Sequence, residues 1–188
     1  VALCDDGQRG LVASHGRDLV CFDTRTGQQL WKTEVGLGPS LAGEADASVE
    51  AQCTVMGDLA CVGCYDGRVY AVATADGARQ WTSDPCAGPI KGRATELGTE
   101  AVAVGSHGGF VRVIGLADGS VRRTSGHLGG AVFASPTLVG SVLVVATTAG
   151  AVHGLDAATL ARLWRRAGAP TRAATNAAAT ACCKASAR

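Results

Sequence analysis

Short apolar runs along the chain alternate with polar, glycine-bearing turns. The stretch Gly63-Cys64-Tyr65-Asp66-Gly67-Arg68-Val69-Tyr70-Ala71-Val72-Ala73, followed by Asp76-Gly77 and then Trp81, predicts a strand, a tight turn, a strand, a second turn and a third strand carrying one aromatic. Fifty residues earlier the same order occurs in Ala13 to Asp23, with Thr26-Gly27 and Trp31. It returns 42 residues later in Gly105 to Ile114, with Asp118-Gly119 and Arg123, and 41 further on in Ala146 to Asp156, with Thr159-Leu160 and Trp164. From Leu19 to Asp23 both alternating faces are fairly apolar, the pattern of strands covered on two sides. Four copies at a period of about 40, each with several strands, predict propeller blades. The expected fold class is all-β: a partial β-propeller of four-stranded antiparallel blades, about three and a half of them from a ring that closes with about 4–8.

The repeats occupy residues 1–170, in units ending near 31, 81, 123 and 164, and 171–188 form an Ala/Thr-rich tail without alternation that is expected to be disordered. Val1-Ala2-Leu3 reads as a strand already under way, so the chain is expected to be a piece of a longer protein. Leu37 to Asp46, rich in Gly, Pro, Ser and Ala, predicts an inter-blade loop whose extra length explains the first, longer period. Inner strands are expected over Val49 to Met56 and at the matching places from Gly88-Pro89-Ile90 and from Gly130 to Pro136.

Aromatics are only 4% of the chain, so the core must be built from small aliphatic residues. Gly27, Trp31, Gly77, Trp81, Gly119 and Trp164 form a recurring motif, and the fixed place of the indoles assigns them to packing between blades rather than to holding a flat cofactor. Arg123 breaks the motif, and an arginine there keeps its head wet and contributes less burial, so the third blade is expected to be the weakest. The net charge is +1, and three basic residues lie in the tail without an acid, leaving the blades about neutral. That excludes nucleic acid as the main partner. No apolar run approaches the roughly 18 residues of a membrane-spanning helix.

Eight cysteines are present, and Cys21, Cys53 and Cys61 fall in strand-like runs, which favours buried thiols in a reducing compartment, hence the cytoplasm. Cys61 and Cys64 have the spacing of half a metal or redox site, but residues three apart on a strand point to opposite faces. Cys182-Cys183 stand in the tail with no blade around them. His15, Tyr65, His107 and Thr148 take equivalent turn positions and would gather on one face of the disc, a candidate binding face. A metal held by His15 and His107 would lack a third ligand. Asp5-Asp6, and separately Asp66, carry carboxylates that suit a calcium ion, but Asp66 belongs to an Asp-Gly turn of the kind hairpins favour. No catalytic, cofactor-binding or metal-binding residue is assigned.

Phe22-Asp23-Thr24-Arg25-Thr26-Gly27-Gln28-Gln29-Leu30-Trp31 resembles the pyrroloquinoline-quinone-type (PQQ-like) propeller repeat. Three segments resemble the C-terminal propeller of the β-alanine-activating enzyme family, also called aminoadipate-semialdehyde dehydrogenase. They are Val62-Gly63-Cys64-Tyr65-Asp66-Gly67 with Val69-Tyr70, Val104-Gly105-Ser106-His107, and Gly129-Gly130-Ala131-Val132-Phe133-Ala134-Ser135-Pro136. This resemblance implies a non-catalytic module of an ATP-dependent, adenylate-forming ligase, used for domain docking or substrate recruitment, with ATP and phosphopantetheine belonging to the parent alone. Partners are then other domains of the same chain or a separate protein. Two alternatives are a fragment of a PQQ-dependent quinoprotein dehydrogenase, for which no calcium ligands or axial tryptophan are evident, and a free-standing propeller scaffold for protein binding. Open blade edges also predict self-association.

Overall fold

The computed structural model describes residues 1–4, 7–13, 16–36 and 49–168. Among these, four antiparallel four-stranded sheets follow in sequence, each strand pairing with the next. Blade 1 holds β1 (Ala2–Cys4), β2 (Arg9–Ala13), β3 (Asp18–Asp23) and β4 (Gln29–Glu34); blade 2 holds β5 (Thr54–Met56), β6 (Leu59–Gly63), β7 (Val69–Ala73) and β8 (Arg79–Thr82). Blade 3 holds β9 (Thr95–Leu97), β10 (Ala101–Gly105), β11 (Val111–Gly115) and β12 (Val121–Thr124); blade 4 holds β13 (Thr137–Val139), β14 (Val142–Ala146), β15 (Ala151–Asp156) and β16 (Arg162–Ala167). β5 touches β1 and β9, and β9 touches β13. The first strand of each sheet therefore lines the axis of a partial β-propeller, with β4, β8, β12 and β16 outside. Four sheets form where the repeats predict about three and a half blades, because Ala2–Cys4 suffices to complete blade 1.

The inner strands are shorter than expected. Val49 to Cys53 and its counterparts are not strand but lead-ins that cross from one blade to the next. Their backbone is spent elsewhere. Ile90 N donates to Cys64 O of blade 2 (3.0 Å) while His107 N of blade 3 donates to Pro89 O (2.9 Å). Val132 N donates to Ser106 O (3.0 Å) and Thr148 N to Ala131 O (2.9 Å) in the same way. Groups so used cannot join a ladder. Each lead-in buries one aliphatic, Val49, Ile90 or Val132, and Gly63 and Gly105 have no room for a side chain beneath Ile90 and Val132.

The core consists of three layers between sheets. Leu11, Leu19 and Cys21 of blade 1 meet Val62, Tyr70 and Val72 of blade 2. Cys61, Val69 and Ala71 on the other face of blade 2 meet Val102, Val104 and Ile114. Ala103, Val111 and Val113 meet Leu143, Val145 and Leu155. The two-residue period of a strand sends alternate side chains into successive layers, which is why both faces of the central strands are apolar. The Leu37 to Asp46 loop and the 171–188 tail lie outside the described residues.

Candidate functional site

The tryptophan motif works across junctions. Trp31 of blade 1 donates from Nε1 to Thr74 O of blade 2 at 3.0 Å, and Trp81 of blade 2 donates to Leu116 O of blade 3 at 2.6 Å. A Cβ on Gly77 or Gly119 would lie 2.5 Å from the indole above it, so each glycine is a cradle for the preceding blade's tryptophan. Both glycines take positive φ, as does Gly27. At the third junction Arg123 is exposed, and the cradle residue is Leu160, the one non-glycine at positive φ (59°) among the described residues. Its side chain is buried with Leu128 and Leu155, so leucine fills from below part of the space an indole would fill from above. Beside it a cleft of about 250 Å³ runs between blades 3 and 4. Trp164 meets no further blade among the described residues: it is 37% exposed and lies on Gly154 of its own sheet.

At the opposite end of the blades, where the lead-ins cross the turns, two of the predicted binding-face residues come together with three that the turn pattern does not mark. Tyr65 is 1% exposed, so it is no contact residue itself. It lies under the lead-in residue Lys91, whose Nζ stands 4.8 Å from the ring centre. His107 stacks under the next lead-in residue, Phe133, with centroids 4.0 Å apart. Lys91 also reaches within 5.5 Å of the Phe133 ring and 3.7 Å of the Glu50 carboxylate. Glu50, Lys91 and Phe133 each follow the buried aliphatic of a lead-in, so they hold one repeat position in blades 2, 3 and 4. Thr148 is exposed, with its Oγ1 accepting from Ala131 N (3.1 Å). His15 lies outside the described residues.

The electrostatics follow from this layering. Burial raises the Tyr65 hydroxyl and Glu50 beside it adds to the effect, while the Tyr65 side chain holds Lys91 above its ordinary value. Burial lowers His107, and the Lys91 charge lowers it further. The imidazole is therefore neutral at pH 7, and its buried Nε2 has no hydrogen-bond partner among the described residues. A neutral ring stacked on an exposed aromatic (Phe133 is 45% exposed), flanked by one cation and one anion, suits adhesion to a polypeptide.

The remaining candidates are structural. Cys61 packs between blades 2 and 3 and Cys64 between blades 1 and 2, so the pair faces opposite ways. Burial pushes both thiols up to about 12 and Cys86 up to about 11. Cys53, Cys61 and Cys86, all buried free thiols, are expected to resist iodoacetamide at pH 8 in the native protein and to react within minutes in urea, as peptide mapping will show. Asp66 accepts from Tyr70 and from Arg68 N within its turn. No group of three or more His, Cys, Asp or Glu able to hold a metal exists among the described residues, while Asp5, Asp6, Cys182 and Cys183 lie outside them. No helix there is long and apolar enough to cross a membrane.

His153 on β15 is fully buried, with neither ring nitrogen hydrogen-bonded among the described residues. Burial lowers its pKa, and Arg162 and Arg165 lower it further. An imidazole neutral in the fold but ordinary in the unfolded chain binds its proton more readily when unfolded. Stability is therefore full above about pH 6.5 and falls as pH drops through that value. His153→Leu is expected to flatten the urea midpoint between pH 7 and 5; an unchanged slope would show that His153 is not the group.

Residues 2–126 match the family described as outer membrane protein assembly factor BamB. The crystal structure of BamB from Moraxella catarrhalis is similar over 87% of this chain and 50% of its own, with a TM-score of 0.69 and 19% identity. The computationally designed Ika8 protein is similar over 87% and 48%, with a TM-score of 0.71 and 16% identity. The chain thus spans about half the length of either. No curated protein matches it in sequence.

Proposed function

The chain belongs to the outer membrane protein assembly factor BamB family, and from that premise we propose that it is a non-catalytic scaffold that docks a polypeptide on its lead-in face. The observation that supports this is the layer of Glu50, Lys91 and Phe133 laid over Tyr65 and His107. Phe133 on His107 offers an aromatic platform, and Lys91, steadied by Glu50 and Tyr65, offers a cation for a carboxylate. The partner is an extended segment with an apolar or aromatic side chain next to an acid.

Selection of displayed twelve-residue peptides against the protein tests this. Enriched peptides should carry that pairing and should bind about tenfold or more weakly to Lys91→Glu and to Phe133→Ala. Peptides that bind these variants as tightly as the parent would overturn the proposal. The narrower reading, in which the scaffold docks the domains of an adenylate-forming ligase in the cytoplasm, is supported by the three short segments that resemble that family and by the buried thiols. It requires an adenylation domain in the same polypeptide, with ATP and phosphopantetheine bound there and not on the blades.

A further inference from the structure

We propose that the cleft between blades 3 and 4 binds a small aromatic carboxylate, seated where the other junctions seat an indole of the chain itself. The inference concerns an internal border and is independent of the peptide-docking reading. At the border of blades 2 and 3, Trp81 packs with Ile114, lies on Gly119 and donates to Leu116 O. The same repeat positions in blade 4 are Leu155, Leu160 and Ala157, and Arg123 stands in the place of the tryptophan. Leu155 and Leu160 both line the cleft, together with Leu128 of the preceding segment. The cleft therefore lies on the surface that an indole covers elsewhere. Leu160 takes up part of that space, and about 250 Å³ remains. An apolar cavity of about 150 Å³ holds benzene, so this one has room for a two-ring system with a short polar arm.

The polar groups around the cleft select an acid. Arg162 lines it, is exposed, and makes no ion pair among the described residues. The carboxylate on the same turn, Asp156, accepts instead from Ala158 N, Thr159 N and the Thr159 hydroxyl. His153 stands two residues before Leu155 on β15, so the two side chains share one face of the sheet. It is fully buried, with neither ring nitrogen hydrogen-bonded among the described residues. Its ring is close enough to the Leu128 backbone and to the Arg162 and Arg165 charges for each to act on its proton, which sets it in the wall behind the cleft. Buried polar groups without a partner are rare, and one beside an open cleft is a group that a ligand can satisfy. An aromatic acid answers both features: its ring rests on Leu128, Leu155 and Leu160, and its carboxylate accepts from Arg162 and from the His153 N–H.

Titration of the 188-residue protein with indole-3-acetate, followed by calorimetry, is the test. Saturable binding with a dissociation constant of about 1 mM or tighter is expected. Indole, which lacks the acid, should bind about tenfold more weakly, and Arg162→Gln should weaken the acid by about the same factor while leaving indole unchanged. Arg123→Trp lays the chain's own indole over Leu160 and should exclude the ligand. Gly126→Phe is a second block that strains nothing, since Gly126 lines the cleft at an ordinary φ with no atom within 4 Å of the new Cβ. Unaltered circular dichroism will confirm that each variant folds. Lys91→Glu, which weakens peptide docking, should leave this binding unchanged, so the two readings fail separately. The proposal is overturned by the absence of saturable binding, by binding indifferent to both Arg123→Trp and Gly126→Phe, or by equal affinity for indole and indole-3-acetate.

Discussion

Trp81→Ala is expected to lower the unfolding free energy by about 3–5 kcal/mol, the largest loss from any single truncation between blades. The indole is 9% exposed, fills the layer between blades 2 and 3, and donates to Leu116 O. Truncation leaves a cavity and an unpaired carbonyl together. Trp164→Ala offers an internal control. The side chain has the same chemistry and repeat position, but it is 37% exposed and rests on Gly154 of its own sheet, so the same truncation should cost about 1 kcal/mol or less. Urea unfolding of both variants measures the contrast. Equal losses would mean that the tryptophans stabilise their own sheets, and the account of the junctions would be wrong.

The second large effect is non-additive. Arg123→Trp alone should destabilise by about 1–3 kcal/mol, because the new indole meets Leu160 where the other junctions have glycine. Leu160→Gly alone loses a buried side chain, for about 2–4 kcal/mol, offset in part by relief of the strained left-handed turn. Together they rebuild the arrangement of Trp81 over Gly119, so the double variant should be more stable than either single one, with a coupling of about 2 kcal/mol or more. Additive effects would show that Arg123 and Leu160 depart from the motif independently. The expectation that blade 3 is weakest from the arginine alone also changes, since the leucine at its border recovers part of the lost burial.

The blades were legible because their signals are local. A turn glycine with tryptophan four residues later survives in two units with the intervening bulge in the same place, between Cys21 and Phe22 or between Ala71 and Val72, so a single strand carries the message. The Arg123–Leu160 compensation was not legible, since the two residues belong to different repeats and each reads as an isolated exception. The outer layer of the candidate face does not show in the turn pattern, for another reason. Glu50, Lys91 and Phe133 share a position but no chemistry, and they lie on lead-ins whose backbone bonds to turns, so no alternation marks them. Tyr65 and His107 were found through the regular turns, but Tyr65 proves to be the floor of that face and not its surface.

Because each lock spans a border, with the bulky half on one blade and the hollow half on the next, a blade is not an interchangeable part. Blade 3 could follow blade 1, since Gly119 would receive Trp31 as it now receives Trp81. Blade 4 could follow neither blade 1 nor blade 2 without collision at Leu160. Gene duplication or recombination in this array is therefore free at the first two borders and constrained at the third, which fixes the order of the modules as firmly as a keyed connector fixes its socket.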